Sequence, residues 1–190
     1  MAKIVVVYHS GYGHTAKQAE AVAAGAQEVA GAEVKLVALS DIAAVPWADL
    51  AAADGIIFGA PTYMGGPSAK FKEFADASSK AWFNRDWQDK VAGGFTNSAS
   101  WLGDKSGTMS ALTTLAMQHG MIWVSLGLLP ANSSKAQRND VNRVGAAYGA
   151  MAQSDSDLPA DQVPPAGDLE TARLYGKRVA EVTTRFLKGR

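Results

Sequence analysis

The sequence contains no cysteine, which excludes a disulfide framework and thiol redox chemistry. Any electron transfer carried out by this chain must therefore belong to a bound cofactor. An excess of one charge is missing too: 18 lysines and arginines stand against 18 aspartates and glutamates. That balance argues against a nucleic-acid partner, which calls for a basic surface. No apolar run approaches the ~18 residues of a bilayer-spanning helix. Met1-Ala2-Lys3 leads into a strand-like run with no h-region or cleavage signal ahead of it, so a cytoplasmic address without membrane insertion is expected. The 3 histidines, His9, His14 and His119, show no ligand spacing, and no metal site is expected. Internal repeats and domain linkers are also lacking. The 190 residues, 47% of them apolar, suit one domain spanning 1–190.

What the chain does have is a regular alternation of strand and helix signals, which predicts a parallel sheet with helices on both faces. Lys3 to Tyr8 is apolar without alternation, as in a strand covered on both sides. A helix from His14 to Val29 follows, with Ala16, Ala19, Val22, Ala23 and Ala26 on one face and Gly31 beyond its end. Strands are expected at Val34–Leu39, Ile56–Phe58, Val91–Phe95 and Met121–Leu126. A weak helix covers Trp47 to Ala53. A third helix carries Phe71, Phe74 and Ala75, and a fourth carries Met109, Leu112, Leu115 and Ala116 before Gln118-His119-Gly120. The last runs from Leu169 to Leu187, with Leu174, Val179, Val182 and Phe186 inward. The residues from Pro130 to Asp168 show little pattern, and a loop that long in a compact domain is usually functional or mobile.

Such a doubly wound five-stranded sheet binds ligands beyond the carboxyl ends of its strands. Three loops rich in glycine and hydroxyl groups fall at that edge. Ser10-Gly11-Tyr12-Gly13-His14-Thr15 follows the first strand, Gly59 to Pro67 the third, and Thr96 to Gly103 the fourth. The first combines a sharp glycine turn with a helix N-terminus, a setting for an anion and above all a phosphate. Gly11, Gly13 and Ala16 also fit the dinucleotide fingerprint G-x-G-x-x-A. That reading wants an acid at the end of the second strand; Glu33 precedes the strand and Asp41 comes late, so the fingerprint is incomplete. Flavin mononucleotide (FMN) fits better. Ser10 and Thr15 flank a nest of N–H groups for its phosphate, and Tyr63, Met64 and Trp101 can hold and cover a planar ring.

These residues carry a resemblance. Ser10 to Thr15, Gly59-Ala60-Pro61-Thr62-Tyr63, His119-Gly120-Met121 and Ala172 to Ala180 resemble the flavodoxin-like NAD(P)H:quinone oxidoreductases first described as tryptophan-repressor-binding proteins. The resemblance runs through nearly the whole chain. It implies the strand order 2-1-3-4-5 and a homo-oligomer, commonly a tetramer. It also implies hydride transfer from NADH or NADPH through FMN to a quinone. By position it implies Ser10, Gly11, Tyr12, Gly13, His14 and Thr15 at the phosphate, and Pro61, Thr62, Tyr63, Met64 and Gly65 at the ring. The loop Thr96, Asn97, Ser98, Ala99, Ser100, Trp101 and Leu102 joins them, as does His119. Tyr12 and Trp82 would touch the nicotinamide and the quinone, Trp82 from a neighbouring subunit, and His119 and Tyr63 would serve the chemistry. The chain departs from the family at Tyr63-Met64-Gly65-Gly66, where Arg-Phe-Gly-Asn is common, and at Asn97 to Leu102, which replaces a glycine-rich loop.

Plainer readings stand beside these. Ser10 and Thr15 also suit simple helix capping, His119 a cation at a helix C-terminus, and Trp82 a core or surface aromatic. His14 is expected to offer its backbone N–H rather than its ring. Lys135, Arg138 and Arg143 are expected to be solvated. The alternative function is a flavodoxin-type shuttle passing electrons to protein partners, a class that normally steers its encounters with an acidic surface; the balanced total shows no such excess.

Overall fold

The apolar run Ala2–Tyr8 forms β1, and its side chains divide between two helical layers: Ile4 and Val6 face one, Val5 and Val7 the other. Burial on both faces is why the run does not alternate. In the computed structural model, which describes residues 1–189, the later strands are β2 (Ala32–Ala38), β3 (Gly55–Tyr63), β4 (Gly66–Pro67), β5 (Val91–Ser98), β6 (Ile122–Trp123) and β7 (Ala150–Gln153). The helices are α1 (His14–Gln27), α2 (Trp47–Ala52), α3 (Ala69–Ala77), α4 (Ser79–Asn84), α5 (Lys105–Gln118) and α6 (Ala166–Lys188), with a 3-10 turn at Ile42–Ala44.

The sheet runs β2-β1-β3-β5-β6, with β4 antiparallel on β3 and β7 parallel beside β5. This is the expected doubly wound order, changed at one edge. The expected fifth strand, Met121–Leu126, pairs only through Ile122 and Trp123, opposite Val91 and Ala92. The chain then leaves the sheet, and β7 returns to the same edge with Ala150 to Gln153 opposite Phe95 to Ser98. The fifth position is thus filled in relay, half of it from the stretch expected to be irregular. A second correction concerns Gly59 to Tyr63. Expected as loop, it is the end of β3, with Ala60 and Pro61 opposite Thr96 and Asn97. The last β1 pair is at Gly59, so Pro61 lies where its missing N–H removes no bond to β1.

One core packs Val5, Val7, Ile56 and Phe58 against Phe71, Phe74, Trp87, Met109 and Leu112; the other packs Ile4, Val6, Ile57, Val91 and Phe95 against α1 and α6. Phe58 meets Phe71 edge-on with centroids 6.2 Å apart, and burial of one such ring contributes ~1.5–3 kcal/mol. α1 and α6 approach so closely that a Cβ at Gly25 would overlap the Arg173 carbonyl and one at Gly176 the Val22 carbonyl. The inward face of α6 is accordingly Ala172, Tyr175, Gly176, Val179, Ala180 and Thr183. Leu174, expected inward, is only half-buried, because the line of closest approach is reserved for small residues. Tyr175 is fully buried beneath β5, where its hydroxyl accepts from the Gly94 N–H (3.1 Å) and donates to the Val124 carbonyl (2.7 Å).

Candidate functional site

The ends of β1, β3 and β5 open into a cavity of about 540 Å³, within the usual range for a small-molecule site. Its first wall is the turn from β1 into α1. Gly13 is the N-cap of α1 at φ 88, a conformation open to glycine at little cost. The Ser10 Oγ accepts from the N–H groups of Gly13 and Ala16, both at 3.1 Å, so its own hydrogen is available to a ligand. The first turn of α1 carries no acidic side chain, and no carboxylate of the helix competes for its N-terminal N–H groups. A Cβ at Gly11 would strike the Tyr63 hydroxyl. His9, just before the turn, bonds through Nδ1 to the Ser68 Oγ at 2.8 Å and so ties this wall to the start of α3. Burial, with Lys70 adding to it, holds the His9 pKa below its ordinary value.

The second wall is the carboxyl end of β3 and β5. Pro61, Thr62, Tyr63, Asn97, Ser98 and Ala99 line the cavity. Thr62 is braced from behind: its hydroxyl is 2.8 Å from those of Thr96 and Thr108, and Thr96 donates to the Ala60 carbonyl at 2.6 Å. Thr96 is fully buried and does not line the cavity, a correction to its expected ligand contact, since its hydroxyl is spent inside the sheet. The Tyr63 pKa is raised, by burial first and by Tyr12 second, so its phenol stays protonated at neutral pH. Tyr12 and Tyr63 meet edge-on, with centroids 6.2 Å apart.

The loop beyond β5 has an unusual division of its backbone groups. Every carbonyl from Ser98 to Leu102 accepts from the protein. Their donors are Ser154 N–H, Gln153 Nε2, Lys105 Nζ with the Ser98 hydroxyl, Lys105 Nζ again, and Lys105 N–H. The N–H groups of Ala99, Ser100, Trp101 and Leu102 have no acceptor among the described residues. The row begins at Ala99, which lines the cavity, and free N–H groups of this kind suit an electron-rich planar rim.

A third wall was not read from the sequence. Ser154, Ser156, Leu158 and Pro159 follow β7 and complete the lining of the cavity. The His14 ring holds this wall, its Nε2 lying 3.0 Å from the Leu158 carbonyl; the side chain expected to be idle is a brace. The one signal for this wall was the length of the unpatterned stretch that contains it.

The cavity thus gathers Ser10, Tyr12, His14, Thr15, Pro61, Thr62, Tyr63, Asn97, Ser98 and Ala99 from the expected set, with Gly11 and Gly13 shaping the turn. Met64 is fully exposed, at a turn with Gly65, and Trp101 and Leu102, both exposed, line a separate small cavity behind the loop instead of this one. Ser100 belongs to the loop with the free N–H groups. Two expected residues lie elsewhere in the chain. His119 closes α5 beside Gly120, whose carbonyl accepts from Asp89 just ahead of β5. That is the opposite end of an eight-residue strand, roughly 20 Å from the cavity. Its Nε2 is 2.8 Å from the Ser78 Oγ, its ring lies 4.1 Å from Trp87, and burial brings its pKa down to about 4. That burial also overturns the helix-terminal cation. Trp82, half exposed on α4, lines a shallow depression with His119, Phe83, Arg85 and Gln88. Within one chain neither residue reaches the cavity. A further correction concerns the cations. Arg138 makes a bidentate pair with Asp168 at 3.0 and 2.9 Å and lies 4.7 Å over the Trp101 ring, and Arg143 donates to the Ala131 carbonyl. Lys135 is exposed, as expected.

The donor set fits FMN at both ends: neutral N–H and hydroxyl donors with a helix N-terminus for the phosphate, and free N–H groups for the ring edge. Known proteins agree with that reading. Residues 2–135 match the model of a family described as NADPH-dependent FMN reductase. The chain is 54% identical over 182 residues to a Pseudomonas aeruginosa (strain UCBPP-PA14) protein named flavodoxin FldP, covering 96% of this chain and 97% of the relative. It is 32% identical over 207 residues to a protein of Geotalea uraniireducens (strain Rf4) named NAD(P)H dehydrogenase (quinone), covering 98% of this chain and 100% of the relative. Among solved structures, the flavodoxin, WrbA-like protein from Agrobacterium tumefaciens matches with a TM-score of 0.77 and 50% identity, covering 97% of this chain and 99% of that one.

Proposed function

The chain belongs to the NADPH-dependent FMN reductase family, and from that membership we propose that it is an FMN-dependent oxidoreductase taking two electrons from NADH or NADPH and delivering them to a quinone. The observation that carries the proposal is the convergence on one cavity of the Ser10 turn, the carboxyl ends of β3 and β5, and Ala99, the first residue of the loop with free N–H groups. Bound FMN would supply the hydride chemistry, accepting a hydride from the nicotinamide and passing two electrons to the acceptor.

In this proposal the turn from Ser10 to Thr15 binds the phosphate through backbone N–H groups and two hydroxyls, with no lysine or arginine among the cavity-lining residues. Such charge-assisted bonds contribute ~1.5–3 kcal/mol each. Thr62 and Tyr63 set one side of the ring, and the loop from Asn97 to Leu102 sets its edge, so that negative charge developing there on reduction meets fixed donors. The Tyr63 phenol, held protonated, offers a hydrogen bond to a ligand oxygen. Tyr12, which is 78% exposed at the mouth, offers its ring to the nicotinamide nucleotide. The roles expected of Trp82 and His119 beside the acceptor require a second copy of the chain, and a homo-oligomer is part of the proposal.

A second reading is an electron shuttle serving protein partners. It is favoured by the similarity to a protein named flavodoxin and by Asp155, Asp157 and Asp161 in the segment of the third wall. The experiment is steady-state oxidation of NADH and of NADPH by the FMN-loaded protein with benzoquinone and naphthoquinone acceptors. Turnover with parallel double-reciprocal lines is the expected result. No oxidation of either nicotinamide by the loaded protein would overturn the enzyme in favour of the shuttle.

A further inference from the structure

Lys105 is the one buried lysine of the chain's described residues, 1% exposed in the first turn of α5. A buried ammonium is costly unless its donors are engaged. Here three acceptors surround it: the Ser98 Oγ at 2.9 Å, the Ser100 carbonyl at 2.8 Å and the Trp101 carbonyl at 2.7 Å. It does not line the cavity, so it meets the site only through the loop.

The C=O of one residue and the N–H of the next belong to the same trans peptide unit and point in opposite directions. The four carbonyls of Ser98, Ala99, Ser100 and Trp101 are captured by the protein, and the four N–H groups left free, those of Ala99, Ser100, Trp101 and Leu102, belong to the same four units. Lys105 fixes two of these units directly. Its positive charge on their carbonyls also polarises them and makes their N–H groups better donors. Arg138 steadies the loop from outside through the Trp101 ring, itself held by Asp168.

We propose that Lys105 is the positioning residue of the ring-facing loop, holding its peptide units from behind so that their N–H groups are presented to the edge of the flavin ring. The proposal rests on the FMN reading above and goes beyond it by assigning the loop's geometry and donor strength to one ammonium. Burial lowers the Lys105 pKa to about 8, with Asp168 of α6 opposing the shift and Arg138 of the segment between β6 and β7 reinforcing it. Tyr148 is the other titratable group lining the small cavity behind the loop. The grip is therefore lost as pH rises through about 8.

The test is equilibrium binding of FMN and of riboflavin by fluorescence quenching between pH 7 and 9.5. Wild type, Lys105→Met, Lys105→Arg and Ser10→Ala are compared. The expected wild-type result is a fall in affinity of roughly tenfold or more from pH 7 to 9.5. Lys105→Met weakens both ligands by the same factor, tenfold or more at pH 7, and loses the pH dependence. Lys105→Arg, which keeps the charge and does not titrate, also flattens the profile but stays near wild-type affinity at pH 7. Ser10→Ala weakens FMN and spares riboflavin. A flat wild-type profile overturns the proposal without any variant, so a Lys105→Met that fails to fold leaves the test intact. A Lys105→Met that binds normally, or that keeps the wild-type pH profile, overturns it too. If wild type binds FMN at pH 7 in those cases, the FMN reading survives; if wild type binds none, both fall together.

Discussion

Burial keeps the His119 imidazole neutral. Ser78 Oγ donates to the Ala75 carbonyl at 2.7 Å and so accepts from His119 Nε2–H, while Nδ1 has no partner among the described residues. The proton that would charge the ring must therefore enter a site that offers it no acceptor. With the folded pKa depressed from 6.5 to about 4, the unfolded chain binds more protons between those values, and stability is fully present above pH 6.5 and lost as pH falls toward 4. The loss is on the order of 3 kcal/mol. Thermal melts from pH 7 to 4.5 should show a falling Tm whose slope His119→Gln reduces; an equal slope in the variant would assign the acid sensitivity to other groups. Ser10 was legible from sequence because a hydroxyl, two glycines and a helix start fall within a few residues. Arg138 was not, because its partner Asp168 lies 30 positions away and only the folded chain brings the pair together.

The crossing of α1 and α6 is decided by what is missing from Gly25 and Gly176. Helix propensity alone makes Gly176→Ala stabilising by ~0.5–1 kcal/mol. The new Cβ would overlap the Val22 carbonyl, a backbone atom that can give way only if the helices separate, and overpacking of this kind costs ~1–3 kcal/mol. The steric cost is the larger, so Gly176→Ala should lower Tm by several degrees; a raised Tm would mean that the helices part without penalty. Among the elements, β1 and α1 were readable because their patterns are local: an unbroken β-branched run and a small-residue face. The β3 extension was hidden by glycine and proline, which read as breakers away from their neighbours. The edge was hidden for a different reason. Ile122-Trp123 and Ala150 to Gln153 are too short to signal strands alone, and only their shared partner β5 makes them one position of the sheet.

At the scale of the molecule, the cavity draws its walls from the first turn, the middle of the chain and the segment after β7, so ligand binding should stabilise the whole fold rather than one loop. At FMN equal to a hundred times Kd the gain is ~2.7 kcal/mol, or roughly 5–10 °C in Tm for a chain of this size. Melts with and without added FMN check this, and an unchanged Tm at saturation would argue that the native state does not bind it. The even count of charges, legible at once, concealed a segregation that matters here: residues 154–162 carry three aspartates and no cation, and they form the third wall. Asp168, in the first turn of α6, accepts from Arg138 and from the Gln153 N–H at 2.9 Å, and Gln153 in turn holds the Ala99 carbonyl. Because α6 follows every strand in the sequence, a growing polypeptide possesses its phosphate turn long before it possesses the grip on the ring. Acquisition of yellow colour would then mark the arrival of the C-terminal helix, and a proteolytic clip ahead of Asp168 would bleach the protein.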